Sequence, residues 1–218
     1  HKIEAPADFR EQVADIVSRN GQEMQKAIEE MGYDKAIIVP PNLNIKDLHK
    51  KMTDGFNPTF ESDNFKTEGG WDAVRTKDSD KTRIILVHEK SAQNTKDHPI
   101  IKEMLNTTLA AISGMSTDKI QELIDKNEPI SLNVKVGGKD FIFNGLDVSG
   151  YLLFQKEYFE KNSKHLDDLG YSWLTGSSIG HRIPYLFWSP DNGRLGADAV
   201  GPGIRDGGLA PRPAAVFV

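Results

Sequence analysis

The reactive side chains of this 218-residue chain are few and poorly grouped. Cysteine is absent, which removes thiol nucleophiles, disulfide bridges and zinc ribbons together. The six histidines, His1, His49, His88, His98, His165 and His181, form neither a His-x-x-x-His nor a His-Glu-x-x-His pair, so the spacing that offers two imidazoles to one metal ion is missing. His88-Glu89 and His165-Leu-Asp-Asp168 do set a base beside acids. They carry the catalytic alternative: a hydrolase or transferase using His88, His165 or His181 with neighbouring acids. Capping and surface roles explain such pairs more often. Gly137-Gly138-Lys139 lacks the spacing of a phosphate loop, and a hairpin turn explains it. Asp191-Asn192-Gly193 offers oxygens to calcium without the acidic residues that should follow, so a β-turn accounts for it better. Ser177-Ser178 has no nucleophile elbow around it. The expectation is a protein that is not an enzyme and has no catalytic residues, metal ion or cofactor.

The elements that would position any site mix helix and strand irregularly. Phe9, Val13, Ile16, Val17, Met24, Ala27, Ile28 and Met31 recur at helical spacing over residues 8–31, and Gly32 follows as a stop. A core-facing stripe is the plain reading of that helix; self-association through it would make a purely structural oligomer. Ala36–Val39 reads as a strand ended by Pro40-Pro41, and Asn44 caps a helix running through Met52 with Gly55 beyond it. Residues 53–81 are polar and turn-rich, so a long loop is expected, held down by Phe56, Phe60, Phe65 and Trp71. Arg83–His88 is a strand. Pro99 opens a helix toward Ala111 that stops at Gly114, and Ser116 caps another with Ile120, Leu123 and Ile124 inward. Ser131–Phe143 alternates around Gly137-Gly138 as a hairpin. Asp147 begins a helix toward His165, and only short strands and turns come after it. Without regular βαβ alternation, the fold class is α+β.

Bulk properties narrow the function further. Hydrophobic content of 38% and charged content of 27% suit a globular protein. A net charge of -5 with mixed signs argues against nucleic acid as a partner. No apolar run has the length of a membrane span. The chain opens on His1, so a preceding signal or anchor stays open, and with it the localisation.

The last forty residues have a pattern of their own. Trp173, Leu186, Trp188, Leu195, Leu209 and Phe217 recur as bulky anchors, with small or turn-forming residues of no consistent chemistry between them. An enzyme needs particular groups at particular points, whereas a binding surface needs a stiff frame. Strand alternation that turns Leu186, Trp188 and Leu195 inward leaves Tyr185, Phe187 and Ser189 on the opposite face. Two aromatics beside small residues are the mixture found on adaptable binding surfaces.

Gln155-Lys-Glu-Tyr-Phe-Glu-Lys161, Lys164-His-Leu-Asp167, Trp173-Leu-Thr-Gly-Ser-Ser and Arg182 resemble the approach to the variable region of proteins diversified by diversity-generating retroelements. Trp188-x-Pro-Asp, Arg194-Leu195, Ala199, Gly201-Pro202 and Leu209-Ala-Pro-Arg-Pro213, ending at Phe217, look like the scaffold of that region. Ile38-Val-Pro-Pro-Asn-Leu-Asn-Ile-Lys-Asp-Leu and Arg83-Ile-Ile-Leu-Val-His-Glu-Lys-Ser are similar to segments of variable proteins from small-genome archaea and candidate-phylum bacteria. The resemblance covers residues 147–218 most strongly and begins near residue 33.

It implies a C-type lectin-type fold over 33–218, preceded by a helical segment at 1–32, with a variable region at about 182–210. Template-directed adenine mutagenesis would substitute Tyr185, Phe187, Ser189, Asn192, Gly196, Asp198, Val200, Gly201, Gly203, Ile204, Asp206 and Gly208, leaving the scaffold codons alone. Pro211 stands where other variable proteins often have cysteine or alanine, a departure at the edge of the region. Sugar-binding lectins of this fold present a Glu-Pro-Asn or Gln-Pro-Asp loop. Here Glu128-Pro129 precedes Ile130, so calcium and a sugar diol lack their ligands. Formylglycine-generating enzymes rely on cysteines that are absent. The implied function is hypervariable, non-catalytic ligand binding. Its partner would be a protein or a cell-surface molecule.

Overall fold

The structure, a computed structural model, describes residues 5–52, 60–89, 104–136 and 139–218. Its first half contains α1 (Phe9–Met31), β1 (Lys35–Val39), α2 (Ile45–Met52), β2 (Phe60–Glu61), α3 (Asp63–Thr67), a 3-10 turn (Gly70–Ala73), β3 (Val74–Thr76) and β4 (Arg83–Val87). There follow α4 (Leu109–Ser113), α5 (Thr117–Asp125), β5 (Ser131–Val136), β6 (Lys139–Gly145) and α6 (Val148–Asn162). The chain closes with β7 (Tyr171–Trp173), β8 (Ser177–Ile179), β9 (Ile183–Ser189), β10 (Arg194–Val200), β11 (Leu209–Pro211) and β12 (Pro213–Phe217). This is a mixed α+β architecture.

The strand β4 shows why layers form. All five of its residues are buried. Strand alternation sends Ile84 and Leu86 to one side and Ile85 and Val87 to the other. The first pair joins Ile16 and Ala27 of α1 with Leu132 and Phe143; the second joins Leu152 and Phe154 of α6. A strand apolar on both faces needs a cover on each, so α1 packs on β4 and β12 while α6 packs against β1. The first sheet runs in the order β1-β4-β12-β6-β5, and the second in the order β11-β7-β9-β10-β2. Strands β3 and β8 make a separate pair.

Local signals position most elements. Gly32 ends α1 at φ 70°, a left-handed conformation that glycine adopts without a Cβ penalty. The Asn44 side chain accepts the Asp47 N–H at 3.0 Å, and Asp147 caps α6 by accepting from Gly150 at 2.7 Å. In the hairpin, Leu132 pairs with Phe143, and Val136 with Lys139. The Gly137-Gly138 turn itself, like Gly55, Phe56 and Pro99, lies outside the described residues.

Three expectations are corrected. The loop expected over 53–81 is, within 60–81, a sequence of short elements. Ser62 caps α3 through Phe65 N–H at 3.0 Å, while Phe65 and Trp71 are buried, so side-chain caps and aromatic anchors outweigh a turn-rich composition. Phe60, in contrast, is exposed. The helix expected from Pro99 is observed as α4, capped by Thr108 and ended by Gly114 at φ 70°. Trp188 is half-buried rather than a full inward anchor; its ring stacks on His165.

One buried ion pair ties the segment after α6 to the C-terminal strands, and a second ties the start of α6 to β4. Arg212 donates to Asp167 at 2.6 Å, with Ser172 also bonded to Asp167, and both charged side chains are almost wholly enclosed. Arg83 faces Asp147 at 3.4 Å and donates to Ser149 at 2.8 Å. Asp167 also offers its carbonyl to the Trp188 N–H at 3.3 Å. The segment after α6 is thereby fastened to both β9 and the approach to β12.

Candidate functional site

The hairpin of β9 and β10 has two chemically distinct faces. Its register pairs Tyr185 with Asp198, Phe187 with Gly196, and Ser189 with Arg194. Directly opposed residues share a face, so these six lie together. On the reverse face, Leu186, Leu195, Ala197 and Ala199 are all buried in the core. The strand β2 lies parallel to β10 and sets Phe60 beside Gly196; β7 sets Trp173 beside Tyr185. At the Trp173 end this outer face is covered, since Trp173, Ile183 and Leu209 join a second buried cluster. It opens toward Phe187, Ser189 and Arg194.

Tyr171 is the hub of the open part. Its ring meets Tyr185 at 5.8 Å and 75°, and Phe187 at 4.8 Å and 83°, both edge-on; Tyr185 and Phe187 stack at 6.0 Å. Edge-to-face geometry suits the ring quadrupoles and stiffens the cluster. The Tyr185 hydroxyl donates to Asp198 Oδ2 at 2.8 Å, while Asp198 Oδ1 accepts from the Ser62 hydroxyl. Burial, and then the Asp198 carboxylate bonded to it, push the Tyr185 phenol above its usual range. The turn at the hairpin tip has Asn192 N–H on Ser189 O and Gly193 N–H on Pro190 O, each at 3.3 Å, with Gly193 at φ 58°.

The structure brings Tyr185, Phe187 and Gly208 against Tyr171, with Gly196 behind Phe187, Asp198 bonded to Tyr185 and Asp206 beside Gly208. A Cβ placed on Gly196 would drive into Cζ and both Cε atoms of the Phe187 ring; one on Gly208 would stand 3.0 Å from Tyr171 Cε2 and 3.3 Å from Asp206 Oδ1. Ser189 and Asn192 lie apart at the hairpin tip, where the Asn192 amide donates to Ser189 Oγ at 2.8 Å. Val200 packs toward the second cluster. Gly201, Gly203 and Ile204 lie on the segment leading from β10 to β11, with Gly203 and Ile204 exposed.

The sequence reading missed Tyr171, Phe60, Ser62 and Arg194 as members of this face. The signal for Tyr171 was present: it stands two residues before Trp173 on one strand, hence on the same side. Phe60 and Ser62 carried none, because a two-residue strand brings them to β10 from far away in the chain. Arg194 places its guanidinium 5.1 Å from the Phe60 ring centre.

The four described histidines, His49, His88, His165 and His181, have separate surroundings, while His1 and His98 lie outside the described residues. The ring of His88 stands 4.6 Å from Tyr33, with Nδ1 3.1 Å from Gly32 O. His165 is sandwiched between Phe159 at 4.5 Å and Trp188 at 3.3 Å, and burial lowers it to about 4. His181 is exposed; its bond to Asp125 at 2.9 Å raises it. His49 stacks on Trp71 at 4.4 Å and burial lowers it to about 4. Ser177 bonds Thr76 and accepts the Val148 N–H at 3.0 Å, while Ser178 donates to Asn127. Among the described residues no group of three or more histidines and carboxylates is placed to hold a metal ion, and no helix is long and apolar enough to cross a membrane. No family model, curated protein or solved structure matches the chain.

Proposed function

We propose that the chain is a non-catalytic ligand-binding protein of the C-type lectin type, whose outer β9–β10 face is made hypervariable by a diversity-generating retroelement. The observation that carries this reading is the division of one hairpin. The residues expected to stay constant, Leu186, Leu195 and Ala199, are buried, and those expected to vary, Tyr185, Phe187, Ser189, Gly196 and Asp198, share the opposite face; Arg194, also expected to stay constant, departs from the division by lying on that outer face opposite Ser189. The buried side determines backbone shape, so outward side chains that do not pack on one another can be exchanged at low cost; Gly196, under the Phe187 ring, can change only together with Phe187. A rigid strand pair loses little entropy on binding, and a few aromatic anchors then supply affinity. A protein or cell-surface molecule suits an open face of this kind. Sequencing around the gene is the test. The expected result is a near-copy of its 3′ end beside a reverse transcriptase gene, with mismatches confined to template adenines at the codons named above. A complete genome without such a copy refutes the retroelement; mismatches falling on Leu186 or Leu195 refute the division of faces.

A further inference from the structure

We infer that the Tyr171 cluster is a recognition point for an arginine side chain of a protein partner, an inference that rests on the binding-face reading above. Three aromatic rings there have two carboxylates close by, and both carboxylates act on the Tyr185 phenol. Asp198 is bonded to the Tyr185 hydroxyl, and a Cβ added to Gly208 would stand 3.0 Å from Tyr171 Cε2 and 3.3 Å from Asp206 Oδ1, so that glycine keeps the ring and the carboxylate close together. Tyr171 is 37% exposed, so the cluster reaches solvent.

The charges are unanswered. Asp198 accepts from three neutral donors: the hydroxyls of Ser62 and Tyr185, and the Ala199 N–H at 2.7 Å. Asp206 accepts the Gly208 N–H at 2.6 Å. Among the described residues neither carboxylate belongs to an ion pair. The nearby cations are otherwise engaged: Arg194 lies over Phe60, and Arg205 Nε donates to Asn106 O at 2.6 Å. Both carboxylates also act on the Tyr185 phenol, raising it after burial has done so.

This arrangement calls for a cation that stacks as well as it bonds. A guanidinium is planar and weakly hydrated, so it can lie on a ring and still donate from its edge to a carboxylate. An ammonium is a compact, strongly hydrated charge and gains less from the rings. The same sheet face already holds a guanidinium over an aromatic ring, that of Arg194 over Phe60. The overall charge of -5 favours the approach of a basic partner. Gly196 and Gly208 give the site its shape, since a Cβ on Gly196 would collide with the Phe187 ring and one on Gly208 would press tightly on that of Tyr171.

The test titrates N-acetyl-argininamide, its citrulline analogue and N-acetyl-lysinamide into the full chain, following the NMR signals of Tyr171, Tyr185 and Phe187. Saturable shifts with the arginine probe are expected, with citrulline and lysine at least about tenfold weaker, a difference of about 1.4 kcal/mol. Asp206→Asn, at an exposed position, should weaken arginine about as much, and Asp198→Asn together with it should abolish the response. Equal response to citrulline overturns the inference, as does equal response to lysine, an unchanged affinity in the double variant, or undisturbed rings. Each of these failures leaves the diversified face standing, because that reading falls only on the genomic comparison.

Discussion

At the scale of single residues, Phe187 and Gly196 behave as one unit. The ring lies across the glycine, so the two opposed positions compete for a single volume. Gly196→Ala alone should cost about 1–3 kcal/mol in thermal or denaturant unfolding, the usual penalty of overpacking. Most of that should return in Gly196→Ala combined with Phe187→Ala, with a coupling of at least about 0.5 kcal/mol. Strict additivity would show that the ring does not need the glycine. Two histidines make a second prediction at this scale. His49 and His165, both lowered to about 4 from 6.5, are held neutral by burial against aromatic rings. Between those values the unfolded chain binds protons that the folded chain does not, so stability falls as the pH drops through that window. Isolated carboxylates titrate mainly near its lower edge, at about 4. Denaturation midpoints measured from pH 7 to 4.5 should decline, and His49→Gln with His165→Gln should flatten the slope. An unaltered slope in that variant would place the proton uptake elsewhere.

At the scale of elements, the Asp167–Arg212 pair joins the turn after α6 to the residue between β11 and β12, where the chain passes from the second sheet to the first. Removing one partner leaves an uncompensated buried charge, so Arg212→Met should cost about 3–5 kcal/mol in denaturant unfolding. Asp167→Asn added to Arg212→Met should recover part of the loss, because no buried charge then remains and asparagine tolerates the left-handed backbone at φ 53°. Asp167 and Arg212 also show how far elements were legible from sequence. Asp167 stood in a segment read as the approach to the variable region and Arg212 in one read as its scaffold, yet nothing in their spacing joined them. The helices α1, α2, α5 and α6 and the β5–β6 hairpin were legible because their signals are local: apolar spacing, an Asn, Ser or Asp cap, a glycine stop. The 60–81 stretch was not, since its order comes from Phe65 and Trp71 docking into a core assembled from distant strands.

At the scale of the whole molecule, one sheet serves as both core wall and outer face. Joint replacement of Ser189, Asn192, Gly203 and Ile204 by other polar residues should leave stability within about 0.5 kcal/mol per site. Leu195→Ala on the reverse face should cost about 2–5 kcal/mol. Thermal melts of the two variants separate these outcomes directly. A large loss in the joint variant would mean that the outer residues help to hold the backbone. Trp188→Ala should cost less than full burial of a tryptophan would imply, because its ring is only partly enclosed.

Sequence alone determined the alternation of β9, and with it the prospect that Leu186 and Phe187 part company, because strand geometry carries a period of two wherever the strand lies. It also determined most helix ends, since caps and stops act within a few residues. Only the tertiary structure decided which face meets water, that Tyr171 sits among the expected variable positions, and that Phe60 and Ser62 reach β10. Those outcomes depend on pairing between segments far apart in the chain, and the energy of such pairing comes from surface buried jointly, which no single segment's pattern contains.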